Sequence, residues 1–217
     1  MTLSARIAYS VSLVLFLLVS ASAFADLNTD LDKFRTDWAI AKYQTPRNKQ
    51  KAAFETLIRQ GESLNQHYQH QPRVMLWYST ALCSYAAIKG GLGALPDAKK
   101  ARVLLEEVLH LDSHIEDGFA QGVLGTLYAR VPGWPVAFGN KEKARQLLKA
   151  AVQINPQGSD VNYYYGDFLV NTGEYNEAKK YLAIAQAAPI RQNYEIQDRG
   201  RKGEIATSMA KLQRLGH

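Results

Sequence analysis

The sequence predicts an all-α fold, in which about three to four pairs of antiparallel helices stack into a superhelix that ends in a capping helix. Three observations predict it. Apolar residues recur every three or four positions, as at Ala178, Leu182 and Ala185. Small residues recur at matching places in successive segments, at Gly125 and Ala144 and again at Gly166 and Ala178. No segment alternates apolar and polar residues between turn signals, as a half-buried strand would.

The elements follow in chain order. Residues 1–25 read as an export signal: Arg6 supplies the positive start, residues 11–19 a short apolar run, and Ala23-Phe24-Ala25 a small-x-small cleavage pattern. The apolar run is shorter than the roughly 20 residues a spanning helix needs. The mature chain would then be a single domain over residues 26–217. Residues 31–43 and 48–67 read as a first helical pair without a clean signature. Residues 74–113 carry a second pair. Trp77 and Ala81 lie on its first helix and Ala101, Leu105 and Val108 on its second, with a Gly-rich link over residues 89–96. The third pair holds Leu124-Gly125-x-x-Tyr128, then Ala144, Leu148, Ala151 and Pro156. Between its helices residues 130–140 form an insert with two Pro, two Gly, Trp134 and Phe138. The clearest pair spans residues 161–189. Asn162 to Leu169 lies on one helix, Asn171-Thr172-Gly173-Glu174 is the turn, and a second helix ends at Pro189. Residues 198–215 read as a cap, since apolar residues are sparse (Ile205, Met209, Leu212) and Lys and Arg frequent, as a solubilising end requires.

In the clearest pair, Gly166 and Ala178 are small where two helices meet, while Tyr165, Leu169 and Leu182 fill the space between them. This string resembles a tetratricopeptide repeat, and the preceding pair repeats its second-helix spacing. The Pro-Gly-Trp-Pro insert and the Asn-Pro-x-Gly…Tyr-Gly-Asp run give residues 74–190 a looser resemblance to the tetratricopeptide components associated with TRAP-type transporters. The first resemblance implies a binding scaffold whose first helices line a concave surface. The second implies a periplasmic partner, with a transporter component among the candidates. Neither implies an activity.

Composition narrows the function classes. A single cysteine, Cys83, leaves no intramolecular disulfide, and its apolar surroundings read as a buried thiol. The net charge of +6 is spread along the chain without a like-charge run. With no groove-reading motif, nucleic acid is not an expected partner. His67 and His70, and His110 and His114, have suggestive spacing but no third ligand, so no metal or other cofactor is expected. No serine sits in a Gly-x-Ser-x-Gly elbow, and residues 90–93 lack the Gly-Lys-Ser/Thr of a phosphate loop. No catalytic constellation is found, and the chain is not expected to be an enzyme.

Two groups remain as candidate binding residues. Trp134 and Phe138 sit on a stiff, shaped insert, either as a binding rim or tucked back as a satellite core, with partial burial of the indole favoured. Tyr163 and Asp167 share a helical face with Val170; the corresponding positions are Gly122, Thr126 and Ala129 one repeat earlier, and Tyr78, Leu82 and Tyr85 before that. These residues read either as an aromatic-walled cavity or as packing. Asp167, Arg191, Asp198, Arg199 and Arg201 read as an ion-pair network between the last repeat and the cap. The expected function is exported, periplasmic binding of a protein or peptide in the concave groove. The alternative is a small ligand held by the inserts near Trp134. No stable membrane insertion is expected after cleavage. Intact-mass measurement of the exported protein is expected to show a chain starting at Asp26; a retained apolar run would refute the cleavage assignment.

Overall fold

The computed structural model describes residues 26–216, so the predicted signal and its cleavage site lie outside the described residues. Among the described residues there are nine α-helices. They are α1 (26–43), α2 (Arg47–His67), α3 (Pro72–Lys89), α4 (Leu95–Leu111), α5 (Phe119–Arg130), α6 (Lys141–Ile154), α7 (Ser159–Thr172), α8 (Tyr175–Ala187) and α9 (Glu195–Arg214). The described residues hold no strand, only an isolated bridge from Gly133 to Gly139. The architecture is all-α and tetratricopeptide-like, as the sequence predicts.

Local chemistry sets the helix ends. Pro stands in the first turn of α3 and α4, where its missing N–H costs nothing. The Asn140 side chain caps α6 by accepting from the Lys143 N–H at 2.9 Å. Gly173, at φ 85°, takes the left-handed conformation that ends α7 and turns the chain directly into α8.

The helices form four antiparallel pairs: α1 with α2, α3 with α4, α5 with α6, and α7 with α8. Their odd-numbered members form an inner layer, since α3, α5 and α7 contact one another in sequence. Ala101, Leu105 and Val108, then Ala144, Leu148 and Ala151, then Ala178, Leu182 and Ala185 are all fully buried where the second helices face the first. The first two sets lie forty-three residues apart and the last two thirty-four apart. Two extended repeats therefore precede one of ordinary length.

This spacing corrects the predicted register of the α3–α4 pair. The inner surface uses Thr80, Cys83, Ser84 and Ala87 of α3 and Val123, Thr126, Leu127 and Arg130 of α5, again forty-three residues apart. Leu82, not Ala81, is then the counterpart of Gly125, and both inserts have the same length. The alternation of small and large residues that marks the later repeats is absent from α3, which is apolar on nearly every side, so its sequence did not reveal the phase.

The insert between α5 and α6 is a self-bonded hairpin. The Gly139 N–H donates to the Pro132 carbonyl at 2.8 Å and the Asn140 N–H to the Tyr128 carbonyl at 2.9 Å. A β-carbon at Gly139 would stand 1.8 Å from the Val131 carbonyl oxygen, so only glycine fits there.

The final helix does more than cap the last repeat. It packs on α7 and α8 through Ile205 and Leu212 and also reaches back to α1. Gly200 lets the Tyr43 ring lie directly against its backbone, and the Tyr43 hydroxyl donates to Glu204 at 3.1 Å. Arg35 stacks on the Tyr194 ring at 3.7 Å. The superhelix is thereby closed into a ring of five inner helices, α1, α3, α5, α7 and α9. A β-carbon at Gly200 would lie 2.2 Å from the Tyr43 ring. Gly200→Ala is therefore expected to lower stability by about 1–3 kcal/mol through overpacking, although alanine favours helix. An unchanged or raised melting temperature would show that α9 does not depend on this contact.

Candidate functional site

Each inner helix contributes a planar group to a floor across the ring. Trp38 of α1 meets Trp77 of α3 edge-on at 5.5 Å, and Trp77 stacks on Phe119 of α5 at 5.3 Å. Phe119 lies 6.0 Å from Tyr164 of α7, and the Arg201 guanidinium of α9 lies 4.6 Å from the Tyr164 ring. Tyr43, 5.9 Å from Trp38, completes the circuit. Centroid separations in this range suit edge-on and offset stacking.

Arg201 is 1% exposed and every guanidinium nitrogen is bonded. Nε donates to Asp160 at 2.8 Å, Nη1 to Glu204 at 2.5 Å and Nη2 to the Tyr164 hydroxyl at 2.8 Å. Asp160 also takes Arg191 at 2.8 Å, and Arg191 grips Asp198 at 2.6 Å. Burial by itself would raise the Asp160 carboxyl, but the charges of Arg201 and Arg191 overcome it and hold the group below its ordinary range. Glu204 is likewise pushed up by burial and pulled down further by Arg201 and Lys42. Removing one member of such a buried network typically costs about 3–5 kcal/mol.

Only part of this network was foreseen. Arg191, Asp198 and Arg201 belong to it, but Asp167 and Arg199 do not. Asp167 pairs with Arg130 at 2.5 Å, and Arg199 is exposed. The hub, Asp160, was missed. Its sequence signal is an acidic residue one turn before Tyr164 at the start of α7, which reads equally well as an ordinary favourable charge at a helix N-terminus.

Above the floor, on the side of the inserts, lies a cup of about 870 Å³. Trp38, Phe54, Val123 and Leu127 give it an apolar wall, and Leu92, Val131 and Pro132 of the two inserts border its mouth. Its polar end is built from Lys42, Tyr163, Asp167, Arg201 and Glu204. Lys42 bonds Glu204 at 3.1 Å; burial, then the Arg201 charge, lowers its pKa. Burial lifts the Tyr163 phenol to about 12, so it faces the cup as a neutral hydroxyl. Cys83 is also on the wall. Its side chain is half-buried, and burial pushes its thiol up to about 12.

The structure divides the predicted site residues. Tyr163 and Asp167 do line the cup, together with Thr126. Tyr78 and Tyr85 do not. Tyr78 is 1% exposed, wedged against Gly61 of α2 with Lys100 of α4 over its ring. Tyr85 bonds Glu55 of α2 at 3.0 Å, as its counterpart Tyr128 bonds Glu106 of α4 at 2.5 Å. The one-residue register error placed both tyrosines on the wrong face. Gly122 leaves room not for a ligand but for the Tyr164 ring. Phe138 is half-buried, edge-on to Tyr128 at 5.5 Å and under Arg102 at 4.6 Å. Trp134 is 90% exposed at the hairpin tip, which corrects the expected partial burial of its indole. Phe138 and Val131 anchor the insert, and the hairpin hydrogen bonds turn Trp134 outward. Nor does Trp134 line the cup, so it does not hold whatever occupies that space.

Among the described residues, no three His, Cys, Asp or Glu side chains are placed to hold a metal ion, and no helix is long and apolar enough to cross a membrane. His70 instead meets Glu107 at 3.4 Å, and His114 meets Ser113 at 3.0 Å.

A family model for the tetratricopeptide repeat matches residues 136–189, from the second insert through α6, α7 and α8. The chain carries a tetratricopeptide repeat. No curated protein matches it. Tetratricopeptide domains typically serve as protein-interaction scaffolds, which is the class of role the match supports. The matched stretch contains the thirty-four-residue step from Ala144 to Ala178, and the same pattern extends upstream at forty-three residues.

With its indole in solvent, Trp134→Ala is expected to change folding free energy by no more than about 0.5 kcal/mol, as for other surface substitutions. A loss of several kcal/mol in a denaturant melt would show that the indole is packed after all.

Proposed function

We propose that this tetratricopeptide protein is exported, to the periplasm in a Gram-negative cell, and that its cup binds a small, mainly apolar ligand with a polar end. The cup carries the reading. A concave groove that welcomes a folded partner is open along its length, whereas here α9 closes the ring onto α1. The remaining space, about 870 Å³, falls within the roughly 300–1,000 Å³ of small-molecule sites. The wall is mainly apolar and the charged groups Lys42, Asp167, Arg201 and Glu204 supply the polar end, which suits a ligand that is apolar over most of its length.

One observation favours a second reading, insertion of a short segment of a protein partner. Trp134 and Val136 are 90% and 53% exposed on the second insert and do not line the cup, so a ligand inside it would not touch them. Exposed aromatic residues of this kind anchor protein interfaces. A transporter component as that partner rests on the sequence resemblance alone.

Cys83 provides the measurement. Protein recovered from its native compartment is analysed by mass spectrometry for bound small molecules and proteins, and the recovered species is titrated while Cys83 alkylation is followed. A cup ligand is expected to slow alkylation. Ala87→Trp, which narrows the cup, is expected to weaken binding at least about tenfold, while Trp134→Ala leaves binding unchanged. Equal losses in both variants would favour the partner segment. Alkylation indifferent to the bound species would refute occupancy of the cup.

A further inference from the structure

The charges around the cup are already matched to one another. Of the residues that line it, Lys42, Arg130 and Arg201 are cations and Asp167 and Glu204 are carboxylates. Lys42 bonds Glu204 at 3.1 Å, and its ammonium also lies over the Tyr43 and Trp38 rings, 4.9 and 5.2 Å from their centres. Arg201 is divided between Glu204 and Asp160. Arg130 bonds Asp167 at 2.5 Å, and Asp167 also accepts from Asn171 at 3.1 Å. With Arg191 and its second partner Asp198 included, four cations meet four carboxylates. Arg130 keeps further donors, but it is 60% exposed and its charge is screened by water.

One uncharged group differs from the rest. Of the hydroxyl and amide side chains on the wall, Gln50, Thr80, Ser84 and Tyr164 each bond within the protein. The Thr126 hydroxyl is unpaired but has no open surface. The Tyr163 hydroxyl makes no hydrogen bond among the described residues, and it is not among the sealed atoms. The charges that act on it, Glu204, Asp167, Arg201 and Arg130, all line the cup, so the hydroxyl faces that space. The second cavity, of about 500 Å³ beneath the floor, offers no such group: its unpaired polar atoms, Trp77 Nε1 and Gln197 Oε1, have no open surface.

A ligand head that reaches the polar end leaves water behind. A carboxylate or an ammonium would then need a counter-charge, and every charge at that end has its partner. A hydroxyl or carbonyl costs far less to desolvate and needs only one hydrogen bond.

Resting on the reading of the cup as a ligand site, we propose that it takes an uncharged amphiphile and discriminates against fatty acids and alkylamines. The hydrocarbon part lies against the apolar wall, and a single hydroxyl or carbonyl oxygen accepts from Tyr163.

Decanol, decanoate and decylammonium share one alkyl chain and so separate charge from size. Each is titrated by calorimetry at about pH 7, where the free acid and amine are ionised, while Cys83 alkylation reports occupancy of the cup. Decanol is expected to bind and slow alkylation, and both ions to bind at least about tenfold more weakly. Tyr163→Phe keeps the ring and is expected to melt as wild type, because its hydroxyl has no protein partner to lose, yet to weaken decanol binding about threefold or more. Asp167→Asn leaves Arg130 unmatched and is expected to shift the preference toward decanoate. Either ion binding as tightly as decanol, with Cys83 protected, would overturn the inference and leave the cup standing as a ligand site. So would a Tyr163→Phe protein that binds decanol as wild type, or an Asp167→Asn protein with unchanged preference. If no probe slows alkylation the inference falls too, and the species recovered from the native compartment decides the cup.

Discussion

Arg201 holds the molecule closed. It is a charged side chain almost completely withdrawn from water, and a guanidinium tolerates that only when carboxylates and other acceptors compensate its charge. Asp160 lies on α7, Glu204 one turn further along α9, and the Tyr164 hydroxyl again on α7. Glu204 in turn takes Lys42 and Tyr43 of α1. One cation therefore ties the last repeat, the final helix and the first helix into a single bonded set. A helical-repeat array normally contacts only its neighbours in sequence. Here the two ends meet, and the open concavity of a short superhelix becomes a ring.

The closed ring gives the interior its form. With five inner helices around one axis, the planar side chains that point inward meet edge to face and divide the lumen. Above the floor the residues are mostly apolar, because the inner positions of α3 and α5 carry Ala, Cys, Val, Thr and Leu. Below it they are polar, because that side is built from helix starts and from the Arg191–Asp198 pair. The two cavities thus differ in chemistry through their level along the inner helices.

The extended repeats serve the same plan. Seven additional residues between paired helices, beyond the spacing of the last repeat, are used twice at one end of the ring, where they raise a rim around the apolar cup. The second is rigid by its own hydrogen bonds and by Phe138, so its exposed Trp134 is presented and not merely tolerated.

The sequence by itself determined the all-helical class, the pairing of α3 with α4, α5 with α6 and α7 with α8, and the presence of an insert in two of the pairs. These depend on local periodicity, on small residues where helices touch, and on Gly and Pro at turns, all of which act within some forty residues of chain. It also placed Tyr163 and Asp167 on an inner face, since three- and four-residue spacing on one helix is a local property. Only the tertiary structure decided the rest. The phase of α3 is hidden in a helix apolar on nearly every side, so Tyr78 and Tyr85 were assigned to a face they do not occupy. Asp160 and Arg201 are forty-one residues apart, and Tyr43 and Glu204 one hundred and sixty-one. Neither pair has a spacing that local pattern can read. The closed ring, the floor and both cavities arise from these distant contacts, because an inner surface belongs to no single helix.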